Sequence, residues 1–382
     1  MVPNGWFKAK FGEITEIGNG QVDPKTEPYS SMMHIGPENV VSHTGQIIKI
    51  KSCKESDLIS GKYEFDEDAI VYSKIRPNLN KVCKPDFKGV CSADMYPIWV
   101  KNGLDKDYLF HYMLGPHFFK AAVSMSMRTG MPKINRNDLN TLSILLPPLV
   151  EQRKIAQILS TWDQAISTSE KLLENSQQQK KALMQQLLTG KKRFLDENGM
   201  IFSSKWLSEK LEKICAISTG KKDVNEGNPN GIYPFFTCAS EPTASDSYSY
   251  DCEALLIAGN GNLGKTHYIK GKFEAYQRTY ILSKFDEKIQ PLYLYQYILY
   301  WLMRDIEREK QHGAMPYIKL GLLQNFKIFI PSLTEQLKII EVLSLADQEI
   351  ETLQKKLNCL KQEKKALMQQ LLTGKKRVKV AA

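Results

Sequence analysis

A glycine-rich segment in the second half of the chain has the spacing of a catalytic motif. Residues Gly259–Thr266 read Gly-Asn-Gly-Asn-Leu-Gly-Lys-Thr, which matches the G-x-x-x-x-G-K-[ST] pattern of phosphate-binding loops. That chemistry requires a helix directly after the loop, because the helix N-terminus and its amides hold the phosphates. The next residues, Thr266–Phe273, are instead typical of a strand and a turn. Three interpretations follow: a nucleotide-binding loop, a Gly-Asn hairpin, or a basic loop that contacts DNA. We favour the third.

Other catalytic signatures are weak in this sequence. The strings nearest to the Asn/Asp-Pro-Pro-aromatic motif of amino-methylating DNA methyltransferases, Asn228-Pro229-Asn230 and Asp23-Pro24-Lys25, do not complete it. The six histidines are scattered, and the seven cysteines form no Cys-x-x-Cys pair and no His-Cys cluster at metal-ligand spacing. We therefore expect no catalysis by this chain, no metal and no cofactor, and we expect free thiols in a reducing compartment.

The composition predicts a partner of negative charge. The 382 residues include 52 Lys and Arg against 42 Asp and Glu, a formal charge of +10, and they suffice for two or three domains with cores of their own. The N-terminal segment lacks the apolar core of a signal peptide. The most apolar stretch, Leu292–Met303, is too short to span a bilayer. We expect a soluble, cytoplasmic protein.

The strongest feature of the chain is a long internal repeat. Fourteen residues, Lys-Lys-Ala-Leu-Met-Gln-Gln-Leu-Leu-Thr-Gly-Lys-Lys-Arg, occur at Lys180–Arg193 and again at Lys364–Arg377, an offset of 184 (364 − 180). The same offset relates Glu151-Gln152 to Glu335-Gln336 upstream. A repeat of this length indicates two copies of one structural part, and therefore two partners or two half-sites.

Both copies have the pattern of a long helix with a coiled-coil seam. From Glu151 to Thr189, and again in the second copy, seam positions alternate at spacings of four and three, which is the period of helices that pack on each other. The predicted seam is Ile155, Leu159, Trp162, Ile166, Leu173, Leu183 and Leu187 in the first copy and Ile339, Leu343, Ala346, Ile350, Leu357, Leu367 and Leu371 in the second, with Lys180 and Lys364 at one shared position. Trp162 in one copy corresponds to Ala346 in the other. We infer that the helices pair with each other; the alternative is that each packs separately on its own domain.

The segments that precede the two helices are rich in β-structure and differ in sequence. Trp6 and Gly20 recur at an offset of 200 as Trp206 and Gly220, which indicates a shared scaffold with divergent interiors. Runs such as Met95–Val100 have the composition of strands. The chain therefore divides into a first globule at 1–146, a helix at 147–196, a second globule at 197–330, and a helix with a tail at 331–382.

This layout resembles a known family. Each variable globule is followed by a long helix with Leu-x-Glu-Gln-x-Lys-Ile near its start and the fourteen-residue repeat at its end, which is similar to the specificity subunit of type I restriction-modification enzymes. The resemblance covers the whole chain. It implies an α+β protein with two mixed α/β target recognition domains, separated by a long antiparallel two-helix coiled coil in a pseudo-twofold repeat.

The same resemblance implies a function. Each globule would read one half of a bipartite double-stranded DNA target with an unread gap, while the helices act as a ruler and dock two modification subunits. Those partners bind S-adenosylmethionine and methylate adenine, and restriction subunits add ATP-driven translocation and cleavage. The chain itself is then expected to be a non-catalytic specificity subunit.

Candidate DNA contacts follow from the chemistry of the two globules. Phosphates are bound by cations, and base edges by Arg, Lys, Asn or Gln at loop tips. The predicted DNA-contacting residues are Lys74, Arg76, Asn78, Asn80, Lys81, Arg128, Lys133 and Arg136 in the first globule and Lys221, Lys222, Asn260, Asn262, Lys265, Gln277, Arg278 and Lys319 in the second.

Two other functions stay open at this point. Nucleotide binding through Gly259–Thr266 predicts that the pure chain binds ATP and that Lys265→Ala abolishes this binding. A coiled-coil adaptor without a DNA role predicts binding without steep salt dependence, because no phosphates are neutralised.

Overall fold

The chain folds into two compact units. The computed structural model describes residues 2–101, 103–126, 132–309 and 317–379, with the backbone alone at position 309. Unit 1 is Met1–Glu170 with Lys356–Ala382, and unit 2 is Lys171–Lys355. Each unit therefore combines one of the two globules that the sequence predicts with a part of each predicted long helix.

Unit 1 is built from short strands and helices. Its strands are β1 (Phe7–Lys10), β2 (Thr15–Ile17), β3 (Met33–Ile35), β4 (Lys51–Ser52), β5 (Lys62–Phe65), β6 (Ile70–Ser73), β7 (Val82–Cys83), β8 (Gly89–Ser92), β9 (Met95–Val100) and β10 (Ser143–Leu146), and its helices are α1 (Phe11–Ile14), α2 (Lys106–Leu114), α3 (Pro116–Ser126) and α4 (Arg136–Thr141). Strand β9 has the bounds that the sequence predicts. Side-chain caps start two of the helices: Asp105 accepts from Tyr108 N at α2, and Asn135 accepts from Asp138 N at α4.

The strands of unit 1 pair in the orders β1-β10, β2-β9-β6-β7 and β4-β3-β8-β5. β3 and β8 are parallel, whereas β6 is antiparallel to β7 and β9. All four residues of β6 are buried. Because successive strand residues point to opposite faces, Ile70 and Tyr72 enter one apolar cluster and Val71 another. Burial on both faces explains why this strand is a continuous apolar run rather than an alternating one.

The chain then continues through a long helix into unit 2. The elements are α5 (Leu149–Leu187), β11 (Leu207–Lys210), β12 (Ala216–Thr219), β13 (Tyr233–Phe236), β14 (Thr243–Ser245), β15 (Tyr250–Ala258), β16 (Thr266–Ala275), β17 (Thr279–Ser283), α6 (Pro291–Glu309), α7 (Leu320–Asn325), β18 (Lys327–Ile330) and the second long helix α8 (Leu333–Leu371). The unit 2 strands pair in the orders β11-β18 and β12-β17-β15-β16-β13-β14. As in β6, neighbours along β15 alternate between two clusters, with Leu255 in one and Leu256 in the other.

The two units share one strand topology. Strand β15 takes the place of β5 and β6 together, and β16 the place of β7 and β8. With that correspondence, the order β12-β17-β15-β16 matches β2-β9-β6-β7, and β15-β16-β13-β14 matches β5-β8-β3-β4. The short ribbons also match, since Phe7 faces Leu146 in β1-β10 and Leu207 faces Ile330 in β11-β18. The prediction of two related mixed α/β domains is confirmed.

The long helices α5 and α8 lie where the repeat predicts helices. Gly190 and Gly374 follow their ends with φ values of 68° and 67°, the left-handed conformation that glycine adopts at a helix C-terminus. At the predicted seam positions, Ile155, Leu159, Leu173, Leu187, Ile339, Leu343, Leu357 and Leu371 are buried, and Trp162, Ile166, Leu183, Ala346, Ile350 and Leu367 are half-buried. Within the described residues, no helix has both the length and the apolar character that a membrane span needs.

Candidate nucleic-acid interface

The glycine-rich segment of unit 2 is the turn of a β-hairpin. It joins β15 to β16, which pair antiparallel along their length. Its amides are used inside the protein: Gly259 N donates to Arg278 O at 3.0 Å, and Gly264 N donates to Ala258 O at 2.9 Å. A phosphate-binding loop needs free amides and a helix directly after it, but strand β16 follows here. The nucleotide-binding interpretation of Gly259–Thr266 is therefore wrong.

Hydrogen bonds gather other loops of unit 2 around this hairpin. Ile318 N donates to Gly259 O at 2.8 Å, and Asn262 N donates to Cys238 O at 3.0 Å. In the loop between β16 and β17, Gln277 N donates to Lys222 O at 3.0 Å. We call the joined residues 220–222, 238, 259–265, 276–279 and 318–319 the unit 2 edge.

The predicted DNA contacts of the second globule all lie on the unit 2 edge. Lys221, Asn262, Lys265, Gln277, Arg278 and Lys319 are exposed, whereas Lys222 and Asn260 are half-buried. Lys222 differs from the other cations, because its Nζ lies 3.6 Å from Oε2 of the fully buried Glu274 and donates to Ser247 Oγ at 2.7 Å. The charge of this lysine is compensated within the unit.

An equivalent set of loops meets in unit 1. Lys74 N donates to Asp94 O at 3.0 Å, and Ile134 N donates to Lys74 O at 2.9 Å. Arg76 N donates to Pro132 O at 2.8 Å. We call residues 17–18, 73–81, 94–97 and 132–136 the unit 1 edge. It lies where β6 ends and β9 begins, as the unit 2 edge lies where the matching strands β15 and β17 end and begin.

The predicted contacts of the first globule divide into exposed and internally bonded groups. Arg76, Asn78 and Lys133 are exposed, Lys74, Lys81 and Arg136 are half-buried, and Arg128 lies outside the described residues. Asn80 has only 1% of its surface exposed, and its Nδ2 donates to Leu114 O at 3.4 Å. In this conformation Asn80 holds the loop in place and is not available to a base, so it leaves the candidate set.

Two other residues of the set also anchor the loops. Lys81 Nζ donates to Pro37 O. Arg136 donates from Nη1 to Ile17 O at 2.6 Å and from Nη2 to Gly18 O at 2.7 Å. These bonds tie the end of β2 to the start of α4, so Arg136 fixes the shape of the edge whether or not it touches DNA.

A cluster that links the starts and ends of the long helices was not anticipated from the sequence. In unit 1, Glu151 accepts from Trp6 Nε1 at 3.0 Å and from Arg377 Nε and Nη2 at 2.7 Å each. The Arg377 guanidinium also lies over the Trp6 ring, 5.7 Å from its centroid. The bidentate geometry makes this a strong type of ion pair.

The same cluster occurs in unit 2. Glu335 accepts from Trp206 Nε1 at 3.2 Å and from Arg193 Nη2 at 2.7 Å. Each repeat therefore supplies a glutamate at the start of its helix and an arginine after its end. The repeated residues were visible as pairs in the sequence. That each glutamate meets an arginine and a tryptophan was not visible, because the tryptophans recur at an offset of 200 and the helices at 184.

His111 and Gln296 occupy equivalent places against the long helices. Gln296 Nε2 donates to Asp347 Oδ2 at 2.8 Å, whereas His111 Nδ1 lies 3.7 Å from Asp163 Oδ2. Burial, followed by the charge of Lys364, lowers the pKa of His111 to about 3. The histidine is therefore neutral at physiological pH.

Comparison with known proteins identifies the family to which this architecture belongs. The family model described as the type I restriction modification DNA specificity domain matches residues 3–176 and 203–362. The chain belongs to this family. The two matched stretches each contain one edge, and the resemblance deduced from the sequence repeat is confirmed.

Two relatives of this chain are named type I restriction enzyme specificity subunits. The chain is 35% identical over 187 residues to the type I restriction enzyme EcoDI specificity subunit of Escherichia coli, an alignment that spans 49% of this chain and 41% of that one. It is 29% identical over 327 residues to the MjaVIII specificity subunit of Methanocaldococcus jannaschii, spanning 76% and 75% of the two chains. The first alignment thus spans less than half of the Escherichia coli relative.

Solved structures of type I systems have the same fold. The crystal structure of the S subunit from M. genitalium superposes with a TM-score of 0.68 at 17% identity, covering 100% of this chain and 97% of that one. A chain from a type I R-M system studied for complex assembly and conformational transition gives 0.58 at 20% identity, covering 97% and 98%. At these identities the comparison establishes the fold.

Proposed function

We propose that this chain is the non-catalytic DNA sequence-specificity subunit of a cytoplasmic type I restriction-modification complex. Each globule, at 1–146 and 197–330, is a target recognition domain that reads one half of a bipartite double-stranded DNA target across an unread gap. Two adenine-methylating modification subunits dock on the chain, and restriction subunits join them. Family membership supports the DNA-specificity role.

One observation carries this proposal. Two domains of unlike sequence use the same strand topology to gather their cationic and amide side chains on equivalent edges. Loops joined by backbone hydrogen bonds present their tips together, and arginine, lysine, asparagine and glutamine are the side chains that bind phosphates and read base edges. A strand topology that the two domains share, combined with different residues at the loop tips, is what recognition of two different half-sites requires.

The long helices, at 147–196 and 331–382, are the proposed antiparallel spacer. Within unit 1, Glu151 near the start of α5 meets Arg377 beyond the end of α8, and Asp163 meets Lys364. Within unit 2, Lys180 near the end of α5 meets Asp347 near the start of α8. Contacts in this order support antiparallel pairing. A stiff helical spacer suits a split target, because half-site spacing is geometric.

A second candidate is an adaptor that uses the helices alone and does not bind DNA. Salt dependence discriminates the two, since each neutralised phosphate adds about 0.9 to the slope of log K against log salt. The full chain should be purified with its modification subunits and titrated with duplex DNA across a range of salt. Failure to bind the duplex, or binding whose affinity does not depend on salt, would favour the adaptor.

Domain exchange tests the recognition assignment directly. Replacing 1–146 with the first globule of another family member should change one half of the methylated sequence and leave the other half intact. Sequencing of methylated adenines in cells that express the complete system reads both halves at once. The matched control replaces 197–330 and should alter the opposite half. A hybrid in which both halves change together would contradict independent recognition domains.

A further inference from the structure

Two cations of the unit 1 edge lie against one tyrosine ring, and a third lies on the neighbouring segment. Lys74 Nζ lies 5.1 Å from the centroid of the Tyr96 ring, and Arg136 Cζ lies 5.4 Å from it. Lys133 is placed beside them by a backbone bridge to Ile75. Tyr96 is 6% exposed, so its buried ring has a fixed position against the two positive charges of Lys74 and Arg136.

These charges are held by neutral partners. Arg136 is bonded to the carbonyls of Ile17 and Gly18, and a ring face attracts cations through its quadrupole without cancelling their charge. In the part of the chain that the structure describes, several lysines elsewhere in unit 1 form ion pairs, as Lys84 does with Asp107 and Lys88 with Glu64. No described carboxylate pairs in this way with Lys74, Lys133 or Arg136.

The electrostatics of the cluster agree with its geometry. Burial and then the charge of Lys133 lower the pKa of Lys74, Arg136 acts in the same direction, and Asp94 opposes them. Like charges that are held together repel one another, and an anion placed between them would relieve that repulsion.

We propose that Lys74, Lys133 and Arg136 form a preorganised seat for a phosphate group of the DNA backbone. This inference rests on the proposed function, and it separates residues that position DNA from residues that read it. The ring and the carbonyls already hold Lys74 and Arg136 in place, so phosphate binding orders fewer free side chains than binding by exposed lysines. The half-buried lysine of the unit 2 edge, Lys222, is neutralised by Glu274 instead. The charge of that lysine is therefore already compensated within the protein, unlike the charges of Lys74 and Arg136.

The test compares salt dependence with sequence preference. The variants are Lys133→Ala, Lys74→Met, which keeps most of the buried stem, and the two combined; Arg136 is left intact because it anchors the backbone. The control is Lys8→Ala, an exposed lysine on β1 and outside the unit 1 edge. Each protein is purified with its modification subunits and titrated with target and non-target duplexes.

The double variant should bind both duplexes more weakly, with an unchanged ratio between them. Its slope of log K against log salt should fall by about 0.9 for each phosphate that it no longer neutralises, so between about 50 and 200 mM salt the wild type should weaken roughly 3.5-fold more for each such phosphate. Lys8→Ala should keep the wild-type slope. An unchanged slope in the double variant overturns the seat, and so does a lower target preference at unchanged slope, which would indicate a base contact. A wild-type complex that binds neither duplex refutes the proposed function itself.

Amine labelling distinguishes DNA from free phosphate as the occupant. Reductive methylation of Lys133, read by mass spectrometry, should be suppressed by duplex DNA and not by millimolar inorganic phosphate at matched ionic strength. Protection by inorganic phosphate without protection by DNA would overturn the proposal.

Discussion

Replacing Arg193 with alanine should lower the free energy of unfolding of unit 2 by about 3–5 kcal/mol, the usual cost of removing one partner from a buried ion pair. The carboxylate of Glu335 has no exposed side-chain surface, and the Arg193 side chain is 18% exposed. Arg193 supplies two of the hydrogen bonds to this carboxylate, and Trp206 Nε1 supplies another at 3.2 Å. After truncation, a buried negative charge remains without a positive partner.

The chain contains a matched control for this change. Arg377 makes the same bidentate pair with Glu151 in unit 1, but its side chain is 44% exposed. Water can therefore solvate the Glu151 carboxylate more readily after Arg377→Ala. We expect a loss of roughly 1–2 kcal/mol there, between the values for exposed and buried pairs.

A double-mutant cycle isolates the charge. In a Glu335→Gln background the buried group is neutral, so Arg193→Ala should cost about 2 kcal/mol less than in the wild type. Urea unfolding followed by circular dichroism, with calorimetry to resolve the two units, measures each difference. A loss below about 1 kcal/mol for Arg193→Ala, or an equal loss in both backgrounds, would refute the reasoning.

Three further results are expected. His111→Gln, which copies Gln296, should flatten the dependence of unit 1 stability on pH between about pH 5 and 6.5. The native histidine stays neutral because its pKa is lowered to about 3, whereas the histidine of the unfolded chain takes up a proton below about pH 6.5. The wild type is therefore most stable above that value and loses at most about 1.4 kcal/mol per pH unit on acidification. A urea-unfolding series for the variant that runs parallel to the wild type would contradict this. Alkylation mapped by mass spectrometry should show DNA protecting Cys238, half-buried on the unit 2 edge, and leaving Cys359, exposed on α8, as reactive as before; equal protection of both would argue against DNA at that edge. Whole helical turns inserted near Asn175 should lengthen the gap between the methylated half-sites without altering their bases, and a changed base preference at constant gap would rule out the spacer.

Local sequence pattern was enough for the parts of the fold that depend on neighbours in the chain. The period of four and three located α5 and α8, because a helix places residues at those spacings on one face. The strand character of the residues after Gly264 argued against a phosphate loop and left a hairpin among the interpretations, since glycine and asparagine at a turn and a following β-rich run act over a few residues. The run Met95–Val100 became β9 with the same bounds.

The identity of the free cations was decided by tertiary structure alone. In the sequence, Lys74, Asn80, Lys81 and Lys133 are equivalent polar residues of loops. The fold buries Asn80 against Leu114 and ties Lys81 to a backbone carbonyl, while it leaves Lys133 exposed. Burial depends on which distant segment covers a residue, and that information is absent from a short window of sequence.

The same reason governs the clusters at the ends of the long helices. The repeat in the sequence determined that Glu151 and Glu335, like Arg193 and Arg377, have equal roles. Only the folded chain brings Arg377 to Glu151 across 226 positions and Arg193 to Glu335 across 142. A periodic pattern specifies which face of a helix is buried. The partner of a buried charge is specified by the path of the whole chain, because the carboxylate is stable only where that path delivers a positive group to it.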